Sequence, residues 1–332
     1  MNGLSTRRSD AYFLKWKIIF FIGLCIVCSA FYYATIKAEY IWRWNRVPQY
    51  FAFQDDVEVP SQIDGRVASI NTAGKEAVVI VEGDGTSEEY RMPAETVRMY
   101  EGDRVRMGDV IGTYKQWKVG LLLQGLWLTV QLSIMGIILG IALGLFTGLA
   151  RISHNPALKW TAVGYIEIIR GTPLLVQIMI WYFVIGTLIN NLLAKGGLPE
   201  IPSLIYGVLS LAIFAGAYVA EIVRAGIQSI PTGQMEAARS LGMSHVQAMR
   251  KIILPQAFKR ILPPLAGQFI SLIKDSSLLG IIAIRELTKA TREGVSSSLM
   301  PYELWIVCGL LYLVITFALS LFVQYLERRT VQ

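Results

Sequence analysis

Long apolar runs separated by short polar segments dominate the chain. A helix needs about 20 apolar residues to cross a bilayer. Six stretches qualify: 18–36, 121–150, 163–190, 204–224, 263–284 and 303–326. Between the first and the second the pattern changes. Residues 39–116 carry Val/Ile alternations such as IDGRVASI and EAVVIVEGDG, broken by Asp-Gly, Gly-Asp and Gly-Lys. A period of two with such turns specifies short strands. Three parts follow: 1–38, an N-terminal segment and anchor helix; 39–116, a β domain; 117–332, a helical membrane domain.

Charge sets the expected orientation. Arg7, Arg8, Lys15 and Lys17 precede the first apolar run, and Tyr32 and Tyr33 follow where a cleavage site would carry small residues. The run therefore reads as a retained signal anchor with its N-terminus in the cytoplasm. Six crossings put both termini on that side. The inner segments then hold 14 basic residues against 4 in the short outer loops (Lys195, Arg285, Lys289 and Arg292). That asymmetry has the sign expected for a multi-pass membrane protein with both termini in the cytoplasm. The β domain falls outside the cell, and its YEGDRVRMGDVIG resembles the turn-rich half of a barrel-sandwich fold.

Composition supports this picture. The chain is 54% hydrophobic and 17% charged. Residues 37–118 hold 11 Lys/Arg against 14 Asp/Glu, leaving 20 against 10 in the remainder. The basic excess belongs to the membrane part, where orientation explains it and a nucleic-acid partner is not expected. Cys25, Cys28 and Cys308 lie in apolar runs and read as small apolar side chains. His154 and His245 are far apart in sequence with no ligand cluster beside them, so no metal site is expected. The AGKE at 73–76 fails as a phosphate loop. Ser69 stands where its first glycine belongs, and Glu76 where Ser/Thr must bind magnesium.

One segment breaks the apolar rhythm. EAARSLGMSHVQAMRKIILP, residues 236–255, is polar and lies between two spans. Pro231 stops the preceding helix and Thr232 is the expected N-cap. Gly242 suits a left-handed C-cap. Ser244 opens a second helix with Gln247 completing a capping box, and Pro255 is expected to end it. A DNA-reading helix–turn–helix is disfavoured by the flanking spans.

The spacing Glu236-Ala237-Ala238, then Gly242, Ile252, Leu254 and Pro255 resembles the E-A-A-x3-G-x9-I-x-L-P loop in the permease subunits of bacterial ATP-binding-cassette importers. YIEIIRGTPLLVQ, AYVAEIVRAGIQSIP and LIKDSSLLGII resemble the polar amino-acid branch of that family. The resemblance covers about 117–332 and leaves out the anchor and the β insert. It implies a type I importer permease core in the bacterial cytoplasmic (inner) membrane. With the anchor and the β domain read above, the expected whole is an all-α membrane protein with six transmembrane helices and a small extracytoplasmic β insert.

The resemblance also implies that the 232–255 loop docks a separate cytoplasmic ATPase. Ala237 and Ala238 would allow close approach, Gly242 the bend, and Glu236 a charge. The implied partners are an ATPase dimer, a second permease subunit, an extracytoplasmic amino-acid-binding protein and lipid. The chain would bind no cofactor of its own, would not hydrolyse ATP, and would leave ATP and Mg to the ATPase. Other small solutes, an opine or a quaternary amine, remain open as cargo. A membrane scaffold or sensor whose outer β domain binds a ligand is the remaining alternative.

Ionisable residues in a span cost about 2.5–3.5 kcal/mol each on insertion scales, so each needs a reason. Glu167 with Arg170, and Glu221 with Arg224, stand three apart, close enough to pair on one helix face. Each pair reads either as self-neutralised at the inner interface or as lining for the inner mouth of a path. Lys274 and Asp275 fall about halfway along 263–284, about 100° apart on a helix, where neither satisfies the other. With Ser276 beside them they read as gate or substrate path, or as a bridge between helices. Gly171, Pro173 and Pro263-Pro264 are expected to break helices, and the freed N–H groups suit a substrate carboxylate.

Overall fold

The computed structural model describes residues 10–83 and 85–330, with side chains described for 12–83 and 85–325. Arg7 and Arg8 lie outside the described residues. Two compact units divide at Asn45 and Arg46.

In the first unit, α1 (Asp10–Lys37) is apolar along nearly its whole length, and almost all its side chains are exposed. That surface suits lipid. At its end Trp42 Nε1 donates to Thr35 Oγ1 at 3.0 Å, and the Trp42 and Trp44 rings stack 5.5 Å apart. Amphipathic aromatics of this kind favour the membrane–water boundary.

The second unit opens with six strands: β1 (Ala52–Pro60), β2 (Gly65–Ala73), β3 (Glu76–Gly83), β4 (Thr86–Pro93), β5 (Arg104–Val105) and β6 (Val110–Val119). β1 and β6 form an antiparallel ribbon, and the others form an antiparallel sheet in the order β4-β3-β2-β5. The alternation in β3 buries Ala77, Val79 and Val81, and the two valines pack with Val67, Tyr90, Met92, Val105 and Ile111. These are the strands that the Val/Ile pattern specifies.

The helices follow: α2 (Leu121–Arg151), α3 (Pro156–Gly171), α4 (Leu174–Met179), α5 (Thr187–Lys195), α6 (Ser203–Gln228), α7 (Thr232–Ser240), α8 (His245–Ala248), α9 (Leu254–Asp275), α10 (Leu287–Ser298) and α11 (Pro301–Thr330). Among the described residues six helical stretches are long and apolar enough to cross a membrane. They are Tyr12–Lys37, Leu121–Arg151, Leu174–Lys195, Ser203–Gln228, His245–Ile282 and Pro301–Tyr325. The number matches the sequence expectation, and two boundaries do not.

The stretch 163–190 is not one helix. It breaks between Gly171 and Leu174, because Pro173 holds its neighbour Thr172 in an extended conformation. The buried Gln177 repairs the break: its Nε2 donates to Ile169 O at 2.7 Å and to Thr172 O and Oγ1. The span 263–284 in turn starts much earlier. Pro263 and Pro264 lie inside α9 without ending it, contrary to expectation. Neighbouring helices and local adjustments let a membrane helix run through proline.

The α2–α6 contact organises this bundle. Gly136, Gly140, Gly144 and Gly148 repeat every fourth residue and form one smooth face of α2. A Cβ on Gly140 would meet Ala215 Cβ at 2.8 Å, and one on Gly144 would meet Val219 Cβ at 2.5 Å. Small residues at this spacing let two helix backbones approach closely in lipid, where dispersion rather than water release holds them. Gly144→Ala is expected to lower stability by about 1–3 kcal/mol, the usual cost of overfilling a close contact. Thermal unfolding of the detergent-solubilised chain measures it, and an unchanged midpoint would contradict the contact.

Candidate functional site

The polar segment between the fourth and fifth spans folds as an exposed knuckle. Pro231, rather than Thr232, is the N-cap of α7, and no side chain caps the helix. Thr232 is already helical because Pro231 supplies the extended turn. At the other end the backbone closes a Schellman motif. Met243 N donates to Ala238 O at 3.2 Å, Gly242 N donates to Arg239 O at 3.0 Å, and Gly242 sits at φ +83°.

Ser244 then caps α8 with the expected capping box: its side chain accepts from Gln247 N, and Gln247 accepts from Ser244 N at 2.9 Å. Pro255 does not end the second helix. A π-helical turn (Met249–Ile253) leads into α9, and Pro255 occupies the first turn of that helix, where its missing N–H costs little.

The knuckle has two faces. Ala238, Ala248, Ile253 and Ala257 are buried, and Met235, Met249, Ile252 and Leu254 pack partly buried against the bundle core. Glu236, Ala237, Gly242 and Pro255 are exposed. The seven sequence-predicted docking residues thus divide into four on the outer face and three (Ala238, Ile252, Leu254) that tie the knuckle to the bundle. Two apolar residues escaped notice. Leu241 is 83% and Val246 73% exposed, on either side of the bend. Large apolar side chains at the tip of a polar hairpin of helices suit a partner surface rather than water. Their signal was visible as apolar residues flanking a predicted turn.

The ionisable residues sort differently from expectation. Glu221 does meet Arg224, at 2.5 Å, and it also reaches across to Arg151 of α2 at 2.5 Å. Glu167 and Arg170 do not pair with each other. Both are exposed on α3, outside the span because of the break at Pro173. The Arg170 guanidinium lies over the Tyr218 ring instead, 5.4 Å from its centroid. Arg260 Nη1 donates to Ser229 O at 2.5 Å, at the edge of a cavity that Glu221, Gly226 and Pro264 also line.

Asp275 is the last residue of α9, where the winding tightens to a 3-10 helix (Ser276–Ile282). Ser276 is buried and turns its hydroxyl onto Ile273 O at 2.8 Å. Lys274 is exposed and Asp275 half-buried, and among the described residues no ion pair joins them to another side chain.

One buried carboxylate was not singled out from the sequence. Glu286 accepts from Lys289 N at 2.7 Å, Thr288 N at 2.8 Å and Tyr312 Oη at 3.1 Å, and so caps α10. Burial pushes its carboxyl above the usual range, and these donors offset part of that effect. Among the described residues no group of three or more His, Cys, Asp or Glu side chains is placed to hold a metal ion.

Residues 136–332, more than half the chain, match the family described as binding-protein-dependent transport system inner membrane component. The chain belongs to that family. The chain is 39% identical over 209 residues to the probable glutamine ABC transporter permease protein GlnM of Bacillus subtilis, covering 63% of this chain and 93% of that one. It is 37% identical over 211 residues to the glutamine transport system permease protein GlnP of Escherichia coli K12, with 64% and 93% covered. Among solved structures, an amino acid ABC transporter crystallised with histidines superposes at a TM-score of 0.56 with 42% identity, over 63% of this chain and 94% of that chain. The helical part is therefore an ABC importer permease fold in a multi-pass inner-membrane protein. The match begins within α2, so the anchor and β strands lie outside it.

Proposed function

We propose that the chain is the channel-forming subunit of an ATP-driven importer for polar amino acids, coupled through its knuckle to a cytoplasmic ATPase. The knuckle carries the reading. Its bend is locked by Gly242 and two caps, it is rooted in the core by Ala238, Ile252 and Leu254, and it presents Glu236, Ala237, Leu241 and Val246 outward. A rigid lever with an apolar tip transmits displacement instead of absorbing it. ATP and Mg belong to the ATPase pair, which would close on nucleotide, move the knuckle and turn the path outward.

A second permease subunit completes this assembly. Among the described residues no ion pair joins Lys274 or Asp275 to another side chain, and a charge at membrane depth needs protein or water beside it. A facing permease or the path itself supplies that. With both termini inside, the β insert stands outside the cell as a barrel-sandwich-like module. There it packs on the outer face or meets the amino-acid-binding protein that delivers cargo. The relatives named for glutamine support amino-acid cargo.

Uptake of labelled glutamine into proteoliposomes holding the permease, its ATPase and its binding protein tests this. Competition by the standard amino acids supports the reading. Competition confined to an opine or a quaternary amine would replace the cargo and keep the permease. Asp275→Asn is expected to raise the glutamine concentration for half-maximal uptake, or to uncouple ATP hydrolysis from transport. Unchanged values for both, at normal expression, would remove Asp275 from the path.

A further inference from the structure

We propose that His154 and His245 form a two-imidazole site for a divalent transition ion, Zn2+ by its chemistry, and that an ion bound there clasps the knuckle to the loop between α2 and α3. The chain has only these two histidines. Sequence distance argued against any common site, yet the fold sets their rings edge to face, with centroids 5.9 Å apart and planes at 68°. A zinc–nitrogen bond of about 2.0–2.1 Å places two imidazoles on one tetrahedral ion with their centroids roughly 5–6 Å apart. The observed separation therefore needs little adjustment.

Both rings are exposed, and among the described residues neither makes a hydrogen bond, so their nitrogens are free to ligate. A divalent ion binds imidazole through the lone pair of a ring nitrogen. Both backbones are held at helix starts. Asn155 caps α3 by accepting from Ala157 N at 3.0 Å, and the Ser244 capping box fixes His245. Among the described residues no third protein ligand of the usual types joins them, so water would fill the remaining positions and the ion would exchange readily. Both loops lie on the same side of the membrane in either orientation of the chain.

The site has a mechanical consequence. His154 follows the end of α2, whose Arg151 holds Glu221 of α6, while His245 begins the second half of the knuckle. An ion shared by the two rings ties the lever to the bundle it must move against. Arrest of transport rests on the docking role proposed above; ion binding does not.

Purified permease carrying no polyhistidine tag is titrated with Co2+ as a spectroscopic probe. Absorption bands of a nitrogen-ligated ion are expected in the wild-type chain and absent from His154→Ala and from His245→Ala. In proteoliposomes, micromolar Zn2+ is expected to inhibit ATP-driven glutamine uptake reversibly, with a chelator restoring the rate. Each variant, referred to its own zinc-free rate, is expected to need about tenfold more zinc or beyond, since losing even a group that only orients a ligand costs roughly that much. Bands that persist in either variant, or equal inhibition of all three proteins, would overturn the site. Cobalt binding without zinc inhibition would retain the site and overturn the clasp. Failure of zinc-free uptake in the wild type would instead count against the transport reading.

Discussion

Gly242→Asp is expected to abolish ATP-driven uptake while leaving the protein inserted and folded in the membrane. The glycine sits at φ +83°, and a Cβ placed there meets nothing within 4 Å. A Cβ at this position therefore clashes with no atom of the permease. The backbone conformation costs an ordinary residue about 1–2 kcal/mol, and aspartate is among the residues that tolerate it best. What changes is the outer face. A carboxylate appears beside Leu241, the most exposed apolar residue of the knuckle. Pressed into a partner's groove, an unpaired charge at the centre of an interface costs about 2–4 kcal/mol, a loss of roughly 30-fold or more in association. Gly242→Asn separates the two effects, because it has the same tolerance of the left-handed conformation and no charge, and it is expected to retain part of the activity. Co-purification of the ATPase together with the uptake rate measures the outcome. Wild-type uptake with the ATPase still bound would place the docking surface elsewhere.

How much was legible in the sequence depended on whether the cause was local. The number of spans was legible because the bilayer imposes a length that apolar runs must meet. The capping box at Ser244 and Gln247 and the bend at Gly242 were legible because they depend on residues within one turn. Pro255 and the Pro263-Pro264 pair misled, since proline ends a helix only where nothing compensates. A π-helical turn lies before Pro255, and the membrane helix runs on through the pair. A break at Gly171 and Pro173 was anticipated, but its consequence was not: Glu167 and Arg170 leave the span with α3. The glycine repeat along α2 was present in the letters and went unused, because its meaning lies in which helix faces it. The same holds for His154 beside His245, and for Leu241 and Val246, whose exposure depends on how the knuckle is rooted. In each of these cases the missing information is the register between two helices distant in sequence.

That register decides the role of Glu221, and Glu221→Ala is expected to cause the largest loss of stability among single changes in the bundle. Residues three apart suggested a pair complete in itself with Arg224. The structure adds Arg151 from α2, so one carboxylate answers two guanidiniums from two helices. Removing it leaves both arginines facing each other across the α2–α6 contact with no anion between them. Breaking a buried ion pair costs about 3–5 kcal/mol. The lower end applies here, because the Glu221 side chain keeps 24% of its exposure. The loss is expected as a lower unfolding midpoint in detergent and as reduced uptake at equal expression. A path-lining role makes a different prediction, with altered cargo affinity and an unchanged midpoint. Glu221→Ala combined with Arg151→Ala distinguishes the two readings by a double-mutant cycle. Recovery of part of the lost stability in the double variant would assign Glu221 to holding α2 against α6. Strictly additive losses would return it to the translocation path.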